Sequence, residues 1–229
     1  MSEKKAKAAK SPTSAVKIAS VKPAGADTRG DILDAALKVF ARHSFEGASL
    51  QEMAQRAGVG QPLIHYYFGS KELLWQATID YAFQDLGKVF KSISAAAVDL
   101  DPLDRMKVLV RAFVQYCAQH PHHANIIVNE MRVPGKRLEW IMEKYLQPIH
   151  SYSDELYMRA VERGQLKAIP AVHVVNVLIV SIVHFFTIRP ILIGLYGVDP
   201  RDETIITDHA NYLIEILFEG LRNRDGAPA

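Results

Sequence analysis

Apolar residues recur at three- and four-residue intervals along most of the chain, the spacing of one face of an α-helix. Ile32, Leu33, Ala36, Leu37 and Phe40 form the inner side of a helix over Asp31–His43, and Phe45-Glu46-Gly47 is the turn after it. Leu50, Met53, Ala54 and Ala57 mark a second, short helix starting at Ser49. Gln61-Pro62 opens a third, with proline at or near the first position, where a missing amide does no harm. Lys71 opens a long fourth helix reaching about residue 94, and Asp99-Leu100-Asp101-Pro102 is a break and a new start. Leu103, Met106, Leu109, Val110, Phe113, Val114 and Cys117 make the stripe of a fifth helix, which His120-Pro121 ends. A short sixth spans His122–Met131 and stops near Pro134-Gly135. A seventh runs from about Lys136 to Arg163, with Pro148 as a kink or break. The eighth covers about 171–195, bent at Pro190, and the ninth about 202–223. Beyond residue 95 there is no period-two alternation, hairpin or internal repeat, so the pattern predicts an all-α fold of about nine helices.

The stretch around Ser49–Tyr67 carries the most local chemistry. Ser49 and Glu52 have capping-box spacing: the hydroxyl takes one free amide and the carboxylate reaches back to another. Gly58 suits a left-handed helix end, and Val59 is placed to plug the core beneath the corner. The third helix turns polar and aromatic side chains outward: Gln61, His65 and Tyr66. Such a layout is either an ordinary helical hairpin or a helix-turn-helix, whose second helix enters the DNA major groove by its N-terminal end.

The flanks favour the second reading. "ILDAALKVFARHSFEGASLQEMAQRAGV" precedes the corner and "YYFGSKELL" follows it, and together, in this order, they resemble the DNA-binding domain of TetR-family transcriptional regulators. The resemblance covers about residues 29 to 75; two departures are Gly60, where Ser or Thr is common, and His65, where Tyr is usual. It implies a three-helix DNA-binding domain at 28–75 with a helix-turn-helix, and a larger helical ligand-binding and dimerisation domain at 76–225, after a basic leader at 1–27. The candidate DNA-facing set is Ser49, Gly60, Gln61, Pro62, His65, Tyr66, Tyr67 and Lys71. Ser49 offers its hydroxyl or helix N-terminus to a phosphate, Gln61 reads a base edge, and Pro62 touches a thymine methyl. His65 reaches a base or phosphate, one of Tyr66 and Tyr67 bonds a phosphate while the other packs inward, and Lys71 is a pure phosphate contact. Arg29 is either a phosphate contact or a plain surface residue.

A two-fold, near-palindromic operator needs a two-fold protein, and the eighth and ninth helices carry more apolar surface than a small domain buries. They are expected to pair with their copies in a homodimer. The fourth to eighth helices would enclose a cavity for a small-molecule effector, which releases a repressor from DNA by favouring one arrangement of the two reading helices. Phe113, Tyr116, Ile127, Phe185 and Phe186 would give it an apolar lining, and Asn129, Arg132, His184 and Arg189 would orient a polar head. The segment "HPHHANIIVNEM" is similar to one in regulators of pyrimidine utilisation.

Composition adds bounds. At 229 residues and 49% hydrophobic the chain can bury a sizeable core, and a net charge of +2 decides little. Six lysines and Glu3 give the first 26 residues a net of +5 within that total, so the remainder carries −3. This leader is a source of non-specific phosphate attraction or simply a solvated segment. It lacks a secretory apolar core, and a lone Cys117 excludes an internal disulfide, so a cytoplasmic location is expected. The apolar window Ala171–Leu195 is interrupted by His173, Asn176, His184, Arg189 and Pro190, which suits a core or interface helix and not a membrane span. Two alternatives stay open: a metal-responsive regulator using His120, His122 and His123, and an activator or a regulator without ligand. No Cys and no acidic residue at ligand spacing accompanies the histidines, so no metal or cofactor is assigned. G-x-S-x-G, Gly-rich phosphate loops, H-E-x-x-H and C-x-x-C are all absent, so no enzyme activity is expected.

Overall fold

The first helix sets the frame for the others. α1 (Thr28–Gly47) starts where the Asp27 carboxylate accepts the Gly30 amide at 3.0 Å, and its inner face from Ile32 to Ala41 is buried. In this computed structural model, which describes residues 27–222, the helix breaks at Ser44, with φ 58° and ψ −179°. A non-glycine residue in that region is strained. The break turns Phe45 back under the helix, where it stacks on Phe40 at 6.0 Å and meets Trp75 edge-on at 6.3 Å. α2 (Leu50–Ala57), α3 (Gln61–Phe68) and the long α4 (Lys71–Ala96) follow. Their first core includes Met53, Ile64, Phe68, Leu74, Trp75 and Ile79, and it continues along α4 to Ala82.

α5 (Pro102–Gln119) is capped by Asp101, whose carboxylate accepts the Asp104 amide at 2.9 Å. α6 (Pro121–Glu130) follows with only His120 between them. The expected seventh helix is broken: α7 (Lys136–Ile141) runs through a π-turn at Met142–Leu146 into α8 (Gln147–Glu162). Pro148 explains this. It has no amide to give, and just before it the Gln147 amide reaches the Met142 carbonyl five residues back. The expected eighth helix is likewise two, α9 (Ala171–Thr187) and α10 (Arg189–Tyr196), bent by 69° at Ile188 with Pro190 in the first turn of α10. The bend leaves no single helix among the described residues long and apolar enough to cross a membrane. α11 (Glu203–Leu221) closes the fold. Among the described residues there is no strand, only one isolated bridge between Leu166 and Arg222. A second core joins α5, α8, α9 and α11 through Val114, Tyr157, Ala160, Ile182, Ala210 and Phe218.

The first core extends beyond the first four helices to α6 and α7. Ile126 and Ile141, from the second half of the chain, are buried in the first core, and Asn129 Nδ2 donates to the Ala41 carbonyl of α1 at 3.0 Å. Glu130, only 4% exposed, accepts from Arg137 Nε at 3.0 Å. The same guanidinium reaches the Glu46 carboxylate at 2.5 Å and lies 4.1 Å from the centre of the Phe45 ring. Arg137 thus joins the end of α1, the end of α6 and the start of α7 with one side chain. Its hydrogen bond holds the Glu46 carboxyl below the usual range.

Removing Arg137 strands a buried carboxylate. Arg137→Ala should cost about 3 kcal/mol in urea unfolding, and adding Glu130→Leu should restore most of that loss. An unchanged midpoint for the single variant would show that the pair carries no stability.

Candidate nucleic-acid interface and ligand cavity

The reading helix is built from the inside out. Ile64 and Phe68, one turn apart, take the buried positions of α3 and hold it on α1 and α4. Gly58 has the left-handed φ of 68° that the corner requires, and its amide closes α2 onto the Ala54 and Gln55 carbonyls. Ser49 caps α2 by accepting the Glu52 amide at 3.4 Å. The other half of the expected capping box is replaced: the Glu52 carboxylate takes Arg56 Nε at 3.0 Å and lies 3.6 Å from His43 Nε2.

Gly60, Gln61, Pro62, His65, Tyr66 and Tyr67 are all exposed, including the three side chains the sequence turned outward, Gln61, His65 and Tyr66. The expectation that one tyrosine packs inward is corrected. Tyr66 is 80% exposed and Tyr67 40%, their rings meet edge-on at 5.4 Å, and the inward positions belong to Ile64 and Phe68. His65 Nδ1 lies 3.2 Å from the Gly69 carbonyl, at the C-terminal end of α3. Lys71 is partly committed within the protein: its ammonium donates to the Glu46 carbonyl at 3.3 Å and sits 4.8 Å above Phe45. Arg29 covers the Phe68 ring at 5.3 Å. The basic leader lies outside the described residues, except for its last position, Asp27.

A second feature is a cavity of about 750 Å³ between α4, α5, α6, α8 and α9. Its wall is mostly apolar, including Phe90, Phe113, Ile127, Ile149, Leu156 and Leu178. Of the predicted ligand residues it uses Phe113, Tyr116, Ile127 and His184. The remaining five stand elsewhere for identifiable reasons. Asn129 is spent on α1, Arg132 is exposed in the turn after α6, and Phe185 stacks at 3.7 Å on His209 of α11. Phe186 is buried in the second core, and Arg189 is paired with Asp199 at 2.5 Å. That pair holds the Asp199 carboxyl down at about 2, through the Arg189 hydrogen bond and then the Arg201 amide.

Besides Tyr116 and His184, the cavity's polar groups come from residues the sequence did not assign to it, among them Lys91, Ser94, Tyr145, His150 and Tyr152. Their helical spacing is that of any packed face, and only the helix crossings bring them together. At one end the Tyr116 hydroxyl meets His123 Nδ1 and lies 3.2 Å from the Ala82 carbonyl. His120 stacks on Tyr116 at 4.5 Å and on His123 at 4.9 Å. Burial pushes His123 down to about 4, so its ring is neutral at pH 7, and pushes the Tyr116 hydroxyl well above its ordinary range. Cys117, also on the wall, is buried and its thiol is raised to about 12. A thiol held up by burial gives little thiolate, the reactive form.

Two family patterns match parts of the chain. Residues 32–78 match "Bacterial regulatory proteins, tetR family", and residues 102–217 match "Tetracyclin repressor-like, C-terminal domain". The chain belongs to the TetR family. It is therefore a DNA-binding transcriptional regulator, with α2–α3 as its helix-turn-helix. The HTH-type transcriptional regulator RutR of Escherichia coli O157:H7 is 29% identical over 196 residues, 84% of this chain and 90% of that one. The HTH-type transcriptional repressor NicS of Pseudomonas putida is 25% identical over 201 residues, 85% of this chain and 92% of that one. Among solved structures, AibR in complex with isovaleryl coenzyme A and operator DNA superposes with a TM-score of 0.67 at 16% identity, over 83% of this chain and 97% of that one.

A void this apolar takes up apolar molecules. A lipophilic, environment-sensitive dye should bind the folded regulator, and Leu178→Trp, which narrows the void, should weaken dye binding while far-ultraviolet circular dichroism stays unchanged. Equal dye uptake by both proteins would place the dye elsewhere.

Proposed function

We propose that this TetR-family regulator is a homodimeric repressor that leaves a near-palindromic operator when a small molecule fills the cavity. The observation that carries the reading is the double commitment of α6. Ala124, Ile127, Val128 and Met131 face the cavity. Ile126, Asn129 and Glu130 face the first core and α1. A ligand that prefers one position of α6 therefore also prefers one position of the DNA-binding domain, and that difference in affinity shifts the population. A cavity of this kind favours a ligand-responsive regulator over one without a ligand. Its wall suits an effector with an apolar or aromatic body. NicS is named a repressor, and the AibR structure holds both an acyl-CoA and operator DNA, which supports the same arrangement here.

Dimerisation is supported by what α9, α10 and α11 leave in water. Val180, Leu195, Tyr196, Tyr212 and Ile216 are each more than half exposed. Side chains of this kind gathered on consecutive helices mark an interface. In the dimer the two α3 helices sit about one duplex turn, roughly 34 Å, apart. Gln61 and Pro62 read bases at the exposed start of α3, Ser49 and Tyr66 hold phosphates, and the leader adds charge-driven, sequence-independent attraction. The regulator works in the cytoplasm, with the DNA it reads.

Footprinting the protein on its own upstream DNA, with and without candidate effectors, tests the reading: a protected near-palindrome should lose protection as ligand is added. Ile216→Glu should halve the mass in sedimentation and remove that footprint, and a footprint retained by a monomer would overturn the dimer. Gln61→Ala should relax base preference at a cost of about 1–3 kcal/mol, whereas Lys71→Ala should weaken all sequences alike and flatten the salt dependence. An unchanged salt slope would confine Lys71 to its contact with Glu46.

A further inference from the structure

One end of the cavity gathers a cluster that the repressor reading leaves unused. Asp85 comes from α4, His120 from the joint between α5 and α6, and His123 from the first turn of α6. One ligand atom from each lies within 4.8 Å of the other two, and all three residues are half-buried. His120 Nε2 is already 3.8 Å from Asp85 Oδ2. Donors around one zinc ion, each at about 2.0–2.2 Å, stand roughly 3–4 Å apart, so small side-chain rotations close the set.

The surroundings also suit an ion. The Tyr116 hydroxyl engages Nδ1 of His123 and leaves Nε2 as the ring's other donor atom. Tyr116 is anchored in turn near the Ala82 carbonyl. A histidine ligand oriented through its second nitrogen is the arrangement that metal sites use to fix ring and tautomer. His120 is held from both sides by stacking on Tyr116 and His123. His122, the third histidine of the sequence cluster, is not among the converging donors; Asp85, from α4, takes that place.

We propose that Asp85, His120 and His123 bind one divalent transition-metal ion of the zinc class. Two imidazoles and a carboxylate suit Zn²⁺ and its neighbours, and are too rich in nitrogen for Mg²⁺ or Ca²⁺. Three protein ligands leave a fourth position, and because His120 and His123 line the cavity, that position opens into it. The ion ties α4 to the start of α6. The site stands on this cluster alone and holds whether or not a small molecule enters the cavity.

The test uses the full-length protein, stripped of metal with a chelator and dialysed. Zn²⁺ is titrated in competition with a chromophoric chelator, and Co²⁺ is followed by its visible absorption. One ion per chain is expected, with the intense cobalt bands of a four- or five-coordinate site. Asp85→Asn, His120→Gln and His123→Gln should each weaken binding by at least about tenfold. His122→Gln and His173→Gln should leave it unchanged. Thermal melts of each variant distinguish a lost ligand from a lost fold, and the near-isosteric Asp85→Asn with the wild-type cobalt spectrum decides the matter if either histidine variant fails to fold. Absence of stoichiometric binding, or affinity that survives Asp85→Asn in a folded protein, overturns the site.

Discussion

The contact of α6 with α1 is the constraint on which the rest of this regulator depends. A three-helix DNA-binding unit is too small to bury all of its aromatic side chains by itself. Here Trp75 is covered by Trp140 from α7, with ring centres 5.7 Å apart, and Ile126 and Ile141 complete the same core. Arg137 then closes the edge, joining a buried Glu130 to Glu46 over the face of Phe45. The DNA-binding unit is thus finished by residues from the other half of the chain, and it cannot change its pose without moving α6.

In the proposed function, that arrangement gives a cavity ligand its leverage. α6 has only about three turns, so side chains on its two faces cannot move independently. One face borders an apolar void, the other holds the Ala41 carbonyl through Asn129. Long-range coupling of this kind needs two packed arrangements, not a soft medium, because tightly packed interiors transmit displacement. Asp80 adds a parallel link: it receives Lys144 at 2.7 Å and the Tyr145 hydroxyl, joining α4 to the π-turn that follows α7. Tyr145 also stacks on Phe83 at 4.1 Å, so the π-turn is fastened to α4 at two points.

Proline placement shapes the second domain. Pro148 follows a π-turn in one long helical stretch, and Pro190 stands at the 69° bend of an apolar one. Both effects follow from the missing amide and the bulk of the ring. The consequence differs with position. The π-turn sets the aromatic pair of Trp140 and Tyr145 against the first core, while the bend leaves α10 with no buried residue.

The all-helical fold, the cap at Ser49, the glycine corner and the exposed start of α3 were legible in the residues, because periodicity, capping and backbone freedom act over four or five neighbours, whereas the splitting of the seventh and eighth helices raised the number above the nine expected. The composition of the cavity was half legible. Phe113, Tyr116, Ile127 and His184 line it, whereas Asn129, Arg132, Phe185, Phe186 and Arg189 have other partners or face water. An apolar stripe says that a face is buried but not against what. The same limit explains the histidine cluster, where adjacency suggested His122 and the distant α4 supplied Asp85. Local order came from neighbours along the chain; the cavity, the joint at Arg137 and the converging donors came from helices packed across one another, which only three dimensions decide.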